Sequence, residues 1–168
     1  MTSSRKPHHR RFENWCRLGG EPLITLARLV EDRLVPLLIE SGFEWAETYW
    51  TNPDEAVGGG ELNLVRRLGD EVDDVMFNFD KYRRPAFQVH LMRREAALPY
   101  AWVRSANLVR QPSQLVHFWG KPSWLPARFW TGRMSERTVD RVGSHVSQAL
   151  AFLENGTQGS NVSRRNGA

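Results

Sequence analysis

The chain of 168 residues is 40% hydrophobic and has a formal net charge of +4, which predicts one globular domain with a substantial core. Its single cysteine excludes an internal disulfide framework and a thiolate metal site within one chain. No apolar run approaches the roughly 18–20 residues of a membrane-spanning helix, and no signal-peptide core opens the chain, so we expect a cytoplasmic protein with no membrane partner.

The excess positive charge lies at the two ends of the chain. Residues 1–17 contain five basic residues and one acid, and residues 156–168 contain two basic residues and no acid. We expect a basic disordered N-terminal tail over 1–17, a single domain over 18–155 and a disordered C-terminal tail over 156–168. Within the domain, 18–80 is acidic and 81–134 is basic, which indicates either internal pairing of the two segments or a basic surface.

The first predicted helix begins near Pro22 and ends near Gly42. Apolar residues at three- and four-residue spacing mark one face of it, and Pro36 predicts a kink or break inside it. The alternation in 43–51 is typical of a strand, and 52–60 has the composition of a turn.

Alternating apolar residues predict the next strands. Residues 61–68 place Arg66 on the same side as their leucines, which predicts a bulge or a strand end there. The segments 75–79 and 87–91 pair as an antiparallel hairpin in the register that sets core residues opposite core residues. Residues 81–85 then form the hairpin tip, and the charged residues of this region lie at the tip or on the outer face.

The C-terminal half is less regular. Residues 102–110 and 114–119 have strand character, and 120–134 is predicted to be an irregular loop held by buried aromatic rings. A second helix follows, with Ser135 as its N-cap and Gly156 just past its end.

This order of elements predicts an α+β fold. We expect an antiparallel sheet of about four to six strands, with the N-terminal and C-terminal helices packed on its one apolar face. The opposite face is expected to stay open to solvent. It would carry the polar side chains Asn63, Arg67, Asn78, Asp80, Gln88 and His90.

Four short segments carry a resemblance to known proteins. They are SGFEW after the first helix, NLVRR and FDKYRRPAF in the strands, and LENG at the end of the last helix. With a tryptophan-rich stretch before the last helix, the chain resembles small bacterial α+β proteins of unknown function over residues 22–156. Some similarly built proteins serve as immunity proteins in toxin systems. The resemblance implies the fold, and it carries no catalytic residue to this chain.

Few residues in the sequence suggest a catalytic site. Asp80 and His90 could act as a carboxylate and a base, but the predicted register separates their pairs by about 13 Å along the strand. The histidines lack metal-ligand spacing, and Cys16 has no activating neighbour in sequence. We therefore predict that the protein is not an enzyme and that it holds no metal and no cofactor.

Basic and aromatic residues between 102 and 133 are the strongest candidates for a binding surface, because tryptophan and arginine anchor protein interfaces. The leading hypothesis is a non-catalytic interaction protein, such as an immunity or accessory protein, that engages a protein partner through this stretch or through the 81–85 tip. The alternative is a nucleic-acid-binding module, in which the rings stack on bases and the cations contact phosphates. A homodimer is left open. The candidate partner-binding residues are Arg83, Arg84, Arg104, Trp119, Lys121, Trp124, Arg128 and Trp130.

Overall fold

The structure, a computed structural model, describes residues 7–46, 60–98, 102–110 and 118–164. The strands in these ranges form one seven-stranded antiparallel sheet, and helical residues share a single apolar core with one face of it. The predicted α+β class, with N-terminal and C-terminal helices on one face of an antiparallel sheet, is confirmed.

The elements of the fold follow one another from helix to sheet to helix. The helices are α1 (Pro7–Arg17), α2 (Glu21–Leu29), α3 (Val35–Glu40), α4 (Gly132–Gly143) and α5 (Val146–Asn155). The strands are β1 (Glu44–Trp45), β2 (Glu61–Leu68), β3 (Glu71–Phe79), β4 (Ala86–Glu95), β5 (Trp102–Leu108), β6 (Trp119–Gly120) and β7 (Val162–Arg164). Their order across the sheet is β1-β2-β3-β4-β5-β7, and β6 also pairs with β4.

The first predicted helix is interrupted as its proline suggested. A π-helical segment, Val30–Leu34, separates α2 from α3, and Pro36 occupies the first turn of α3. Since proline has no N–H to donate, a wider turn before it accommodates the missing hydrogen bond. The predicted break is confirmed.

The register of the central strands is regular. Phe79 lies opposite Phe87 in the β3–β4 hairpin, which confirms the predicted pairing. The bulge or strand end predicted at Arg66 is wrong, because Arg66 stays in register opposite Asp73 of β3 and the pairing continues to Leu68. Its guanidinium forms an ion pair with the Asp73 carboxylate at 2.8 Å, so an inward-pointing arginine has a partner and needs no bulge.

The folded unit extends beyond residues 18–155, which corrects both predicted tails. Helix α1 lies in the segment expected to be disordered, and the ring of Phe12 packs 5.2 Å from the ring of Phe79. Strand β7 lies in the other expected tail and pairs with β5, where Val162 is buried. Both segments are polar on average, but each carries apolar residues that the sheet buries.

Parts of several predictions fall outside the described residues. Of the predicted strand 43–51 the structure describes the portion that contains β1, and of the predicted strand 114–119 it describes the portion that begins β6. Most of the predicted turn at 52–60 lies outside the described ranges, as do residues 1–6 and 165–168 of the predicted tails.

The last predicted helix is divided into α4 and α5, and its N-cap is Thr131 rather than Ser135. The Thr131 hydroxyl accepts a hydrogen bond from the backbone N–H of Met134 at 3.3 Å. Ser135 is fully buried, and its hydroxyl accepts a hydrogen bond from the indole N–H of Trp130 at 2.8 Å. The serine therefore anchors a loop tryptophan instead of capping the helix.

The sheet face opposite the helices is not the open polar surface that was predicted. Asn63 and His90 are each 5% exposed and Asp80 is 2% exposed, whereas Arg67 is exposed. Asn78 and Gln88 are half-buried. This side of the sheet also carries a small buried apolar cluster, formed by Ala46, Val65 and Val72.

Candidate interaction site

A cavity of about 570 Å³ lies between the 119–131 loop and helix α4. We call it the Trp–Arg cavity. Its volume falls in the range of sites that enclose a small molecule or a few side chains of a partner. Its aromatic and apolar residues are Trp119, Trp124, Leu125, Trp130 and Met134, and its arginines are Arg110, Arg137 and Arg141.

Helix α4 forms one wall of the cavity. Met134, Arg137 and Arg141 recur at three- and four-residue spacing, so they share one side of the helix. The other side buries Val139 and Val142 in the core. Neither arginine was predicted as a site residue, because charged side chains on the exposed side of an amphipathic helix are common.

Two tryptophans are fixed parts of the wall. Trp119 is 1% exposed, and its indole N–H donates to the carbonyl of Leu108 at 2.9 Å. Trp130 is held by its hydrogen bond to Ser135. Trp124 differs from both, because it lines the cavity while 78% of its surface is exposed. A partner would therefore meet a preformed cavity beside one projecting ring.

Lys121 is hydrogen-bonded within the turn that carries Trp124. Its ammonium group donates to the carbonyl of Pro122 at 2.9 Å and to the carbonyl of Leu125. Lys121 is only 7% exposed, so its charge is used inside the loop. The predicted role of this lysine as a direct partner contact does not fit its position.

Gly120 connects the cavity to the β3–β4 hairpin tip. It has a φ of 124°, and a Cβ at this position would lie 2.4 Å from the carbonyl oxygen of Pro85. Glycine is therefore required for β6 to approach the start of β4. The N–H of Lys121 then donates to the same Pro85 carbonyl at 2.9 Å, which fixes the tip against the cavity wall.

The cavity has an excess of unneutralised positive charge. Asp140 is the acidic side chain of the lining, and its carboxylate is paired with Arg33 at 2.7 Å. Within the described ranges, Arg110, Arg137 and Arg141 form no ion pair with an acidic side chain. Three exposed guanidinium groups beside aromatic walls favour an anionic ligand group.

The hairpin tip itself is organised around Asp80. The Asp80 carboxylate accepts hydrogen bonds from the backbone N–H of Tyr82 at 3.0 Å and from the guanidinium of Arg84. Arg83 and Lys81 are exposed, and Arg83 adopts a φ of 57°. Of the two predicted tip arginines, Arg84 is occupied internally and Arg83 faces solvent.

The two remaining predicted residues lie away from the cavity lining. The guanidinium of Arg104 donates to the carbonyl of Leu153 at 2.7 Å, where a cation is favoured at the end of α5. The guanidinium of Arg128 lies 4.8 Å from the ring centroid of Phe129 on the exposed side of the loop. Among the eight predicted residues, the cavity brings together Trp119, Trp124 and Trp130.

A second set of polar side chains is buried on the sheet face opposite the helices. The register sets His90 beside Asn107, and both are 5% exposed. Within the part of the chain that the structure describes, the side-chain amide of Asn63 meets no hydrogen-bond partner at either atom. Asp80 and His90 remain in separate parts of the hairpin, so they do not form a catalytic pair.

A smaller cavity of about 440 Å³ lies against α1 and α2 and includes Cys16. Burial raises the pKa of the Cys16 thiol to about 12, and the charges of Glu31 and Glu13 act in the same direction. The thiolate is therefore scarce at neutral pH, and the thiol is a poor nucleophile there. No group of histidine, cysteine and acidic residues in the described ranges has an arrangement that could hold a metal ion.

Comparisons with protein-family models, with curated proteins and with solved structures find no match to this chain. The resemblance to small bacterial α+β proteins and to immunity proteins therefore stays a prediction. Across residues 7–46, 60–98, 102–110 and 118–164, no helix is long and apolar enough to cross a bilayer.

Proposed function

We propose that this chain is a non-catalytic interaction protein that acts in the cytoplasm and binds a protein partner through the Trp–Arg cavity. An immunity or accessory protein is the kind of role this implies. The observation that carries the proposal is the exposed ring of Trp124 at the edge of a preformed cavity whose three arginines form no ion pair within the described residues.

The composition of the cavity supports a protein partner. Tryptophan, arginine and methionine are enriched in protein interfaces, and binding energy concentrates where an aromatic or aliphatic anchor enters a pocket. Trp130 and Met134 offer an apolar floor, and Arg137 offers a guanidinium beside it. The walls are held by internal hydrogen bonds, so little ordering is needed on binding.

A nucleic-acid-binding role is the second candidate, favoured by the exposed rings of Tyr82, Trp124 and Phe129 on a basic surface. Such a role predicts binding to unrelated single-stranded oligonucleotides that weakens steeply between about 50 mM and about 200 mM salt. Binding that disappears when residues 1–17 are neutralised by substitution would instead assign the effect to the basic N-terminal segment.

The proposal is tested by affinity capture followed by binding of purified components. Wild type, Trp124→Ala and Arg128→Ala would each be immobilised and exposed to a lysate of the source organism. Any protein retained by wild type would then be purified and its dissociation constant measured with all three forms by isothermal titration calorimetry. We expect Trp124→Ala to weaken binding at least about tenfold, as removal of a central aromatic anchor does.

Arg128→Ala is the matched control because Arg128 belongs to the same loop and is exposed but does not line the cavity. It should bind within about twofold of wild type. Equal binding by Trp124→Ala and wild type would refute the cavity as the docking site. Circular dichroism of both variants would verify that the fold is retained.

A further inference from the structure

The two surfaces that the sequence offered as alternatives are neighbours in the fold. The Lys121 N–H bonds to the Pro85 carbonyl, and Gly120 pairs with Ala86 at the start of β4. The hairpin tip, residues 81–85, therefore adjoins the loop that carries Trp124. A single partner segment lying across Gly120 would meet both surfaces.

The surface formed by the cavity and the hairpin tip carries an excess of positive charge. Lys81 and Arg83 at the tip have no ion-pair partner in the described part of the chain, and the same holds for the three cavity arginines. Two acids of this region are already occupied, since Asp80 is buried against Arg84 and Asp140 is paired with Arg33. Five cations that have no ion-pair partner among the described residues therefore border one cavity and one tip.

The tip is also preorganised. Asp80 accepts hydrogen bonds from Tyr82 N–H and Arg84, and the N–H of Arg83 bonds to the Asp80 carbonyl at 2.6 Å. Tyr82 stays 71% exposed, with the Lys81 ammonium 5.0 Å from its ring centroid. The tip therefore presents a ring and two cations on a fixed backbone, which lowers the entropy lost when a partner binds.

We infer that the Trp–Arg cavity and the hairpin tip form one bipartite docking surface for an acidic, extended segment of a partner protein. This inference rests on the proposed function. A large apolar side chain of the segment enters the cavity between Trp124 and Met134, carboxylates beside it meet Arg137 and Arg141, and further carboxylates reach Lys81 and Arg83 at the tip.

An acidic peptide fits this surface better than a nucleic acid does. Single-strand binders stack successive bases on several exposed rings along a groove. Here two of the three cavity tryptophans are tied into the wall, and Leu125 and Met134 add apolar surface to an open cavity. Such a cavity suits one or a few apolar side chains of a peptide, and the surrounding guanidinium groups suit carboxylates.

The test uses the full chain and a phage-displayed library of random 16-residue peptides as the probe. Enriched peptides would be synthesised and their affinities measured by fluorescence anisotropy. The proteins compared are wild type, Trp124→Ala, the tip double variant Lys81→Ser/Arg83→Ser, and Arg128→Ser as the control for loss of an exposed cation. A labelled single-stranded oligonucleotide of random sequence is measured in parallel.

We expect enriched peptides that combine an aromatic or large aliphatic residue with several acidic residues. The tip double variant should bind them at least about threefold more weakly, with a slower association rate and a shallower salt dependence, because charges at the rim of an interface act mainly on encounter. Arg128→Ser should bind within about twofold of wild type.

The outcomes separate the two claims. If Trp124→Ala loses binding and the tip double variant does not, the bipartite surface is refuted and the cavity proposal stands. If no peptide is enriched, or if enriched peptides bind Trp124→Ala as tightly as wild type, both are refuted. Tighter binding of the oligonucleotide than of any enriched peptide would overturn the acidic-peptide assignment.

Discussion

Asp73 and Arg93 form a two-point ion pair inside the sheet, with Nε of Arg93 2.6 Å from Oδ1 and Nη2 3.0 Å from Oδ2 of Asp73. The Asp73 side chain is fully buried, and Arg66 from the neighbouring strand donates to the same carboxylate at 2.8 Å. The three charges therefore depend on one another at the place where the apolar core of the sheet ends.

Replacement of this carboxylate is expected to be strongly destabilising. Asp73→Asn would leave Arg66 and Arg93 without their shared counter-ion, although Glu154 and Glu71 still lie 3.4 Å and 3.0 Å from them. We therefore expect a loss near the lower end of the about 3–5 kcal/mol that removal of one partner of a buried ion pair costs. Urea unfolding followed by tryptophan fluorescence measures the loss. Asp140→Asn is the control, because Asp140 and its partner Arg33 are both exposed, and its urea midpoint should stay close to that of wild type. Equal losses in the two variants would contradict the burial argument.

The charge asymmetry along the chain could be interpreted from sequence in part. Ion pairs Asp73–Arg93, Asp74–Arg94 and Asp80–Arg84 each join the acidic segment 18–80 to the basic segment 81–134. Internal pairing was one of the two hypotheses that the composition left open. It accounts for these arginines, while Arg83 and Lys81 belong to the basic surface.

The hairpin register was predictable because side chains alternate between the two faces of a strand, so the apolar residues of β3 and β4 were expected to lie opposite one another. The structure sets Phe79 opposite Phe87 in this way. The candidate site was predictable only through its tryptophans. Arg137 and Arg141 lie on the polar side of an amphipathic helix, where most charges are merely solvated. Whether these arginines line a cavity depends on which loop packs beside α4. The cavity and the hairpin tip lie side by side because of the long-range contact at Gly120.

That contact gives a second prediction. Gly120→Ala should lower the free energy of unfolding by at least about 2 kcal/mol, because the residue has a positive φ and its Cβ would collide with the Pro85 carbonyl. Gly69→Ala is the matched control. Gly69 also has a positive φ, of 61°, but no atom lies within 4 Å of the Cβ site, so only the backbone cost of about 1 kcal/mol remains. Chemical denaturation measures both, and equal effects would show that the close approach is unimportant.

The buried amide of Asn63 gives a third prediction, in the direction of greater stability. Asn63→Leu removes a polar group whose amide atoms meet no partner in the described part of the chain, and a buried unsatisfied polar group costs about 1–3 kcal/mol. We expect the free energy of unfolding to rise by about 1 kcal/mol. Asn78 is half-buried on the neighbouring strand β3, and Asn78→Leu should change the free energy of unfolding by less than about 0.5 kcal/mol. Destabilisation by Asn63→Leu would contradict the prediction.

His145 gives the last prediction, a dependence of stability on pH. Its ring is half-buried 6.0 Å from the ring of Trp119, and burial, together with the charge of Arg141, lowers its pKa below the ordinary value of 6.5. The unfolded chain therefore takes up the proton more readily than the folded chain does. The stability contributed by the neutral ring is present above about pH 6.5 and is lost as the pH falls below it.

Urea unfolding at about pH 7.5 and about pH 5.5 should show a smaller decline in the free energy of unfolding for His145→Gln than for wild type, since all other titrating groups are shared. Equal declines would mean that the environment beside Trp119 and Arg141 does not disfavour the charged imidazole.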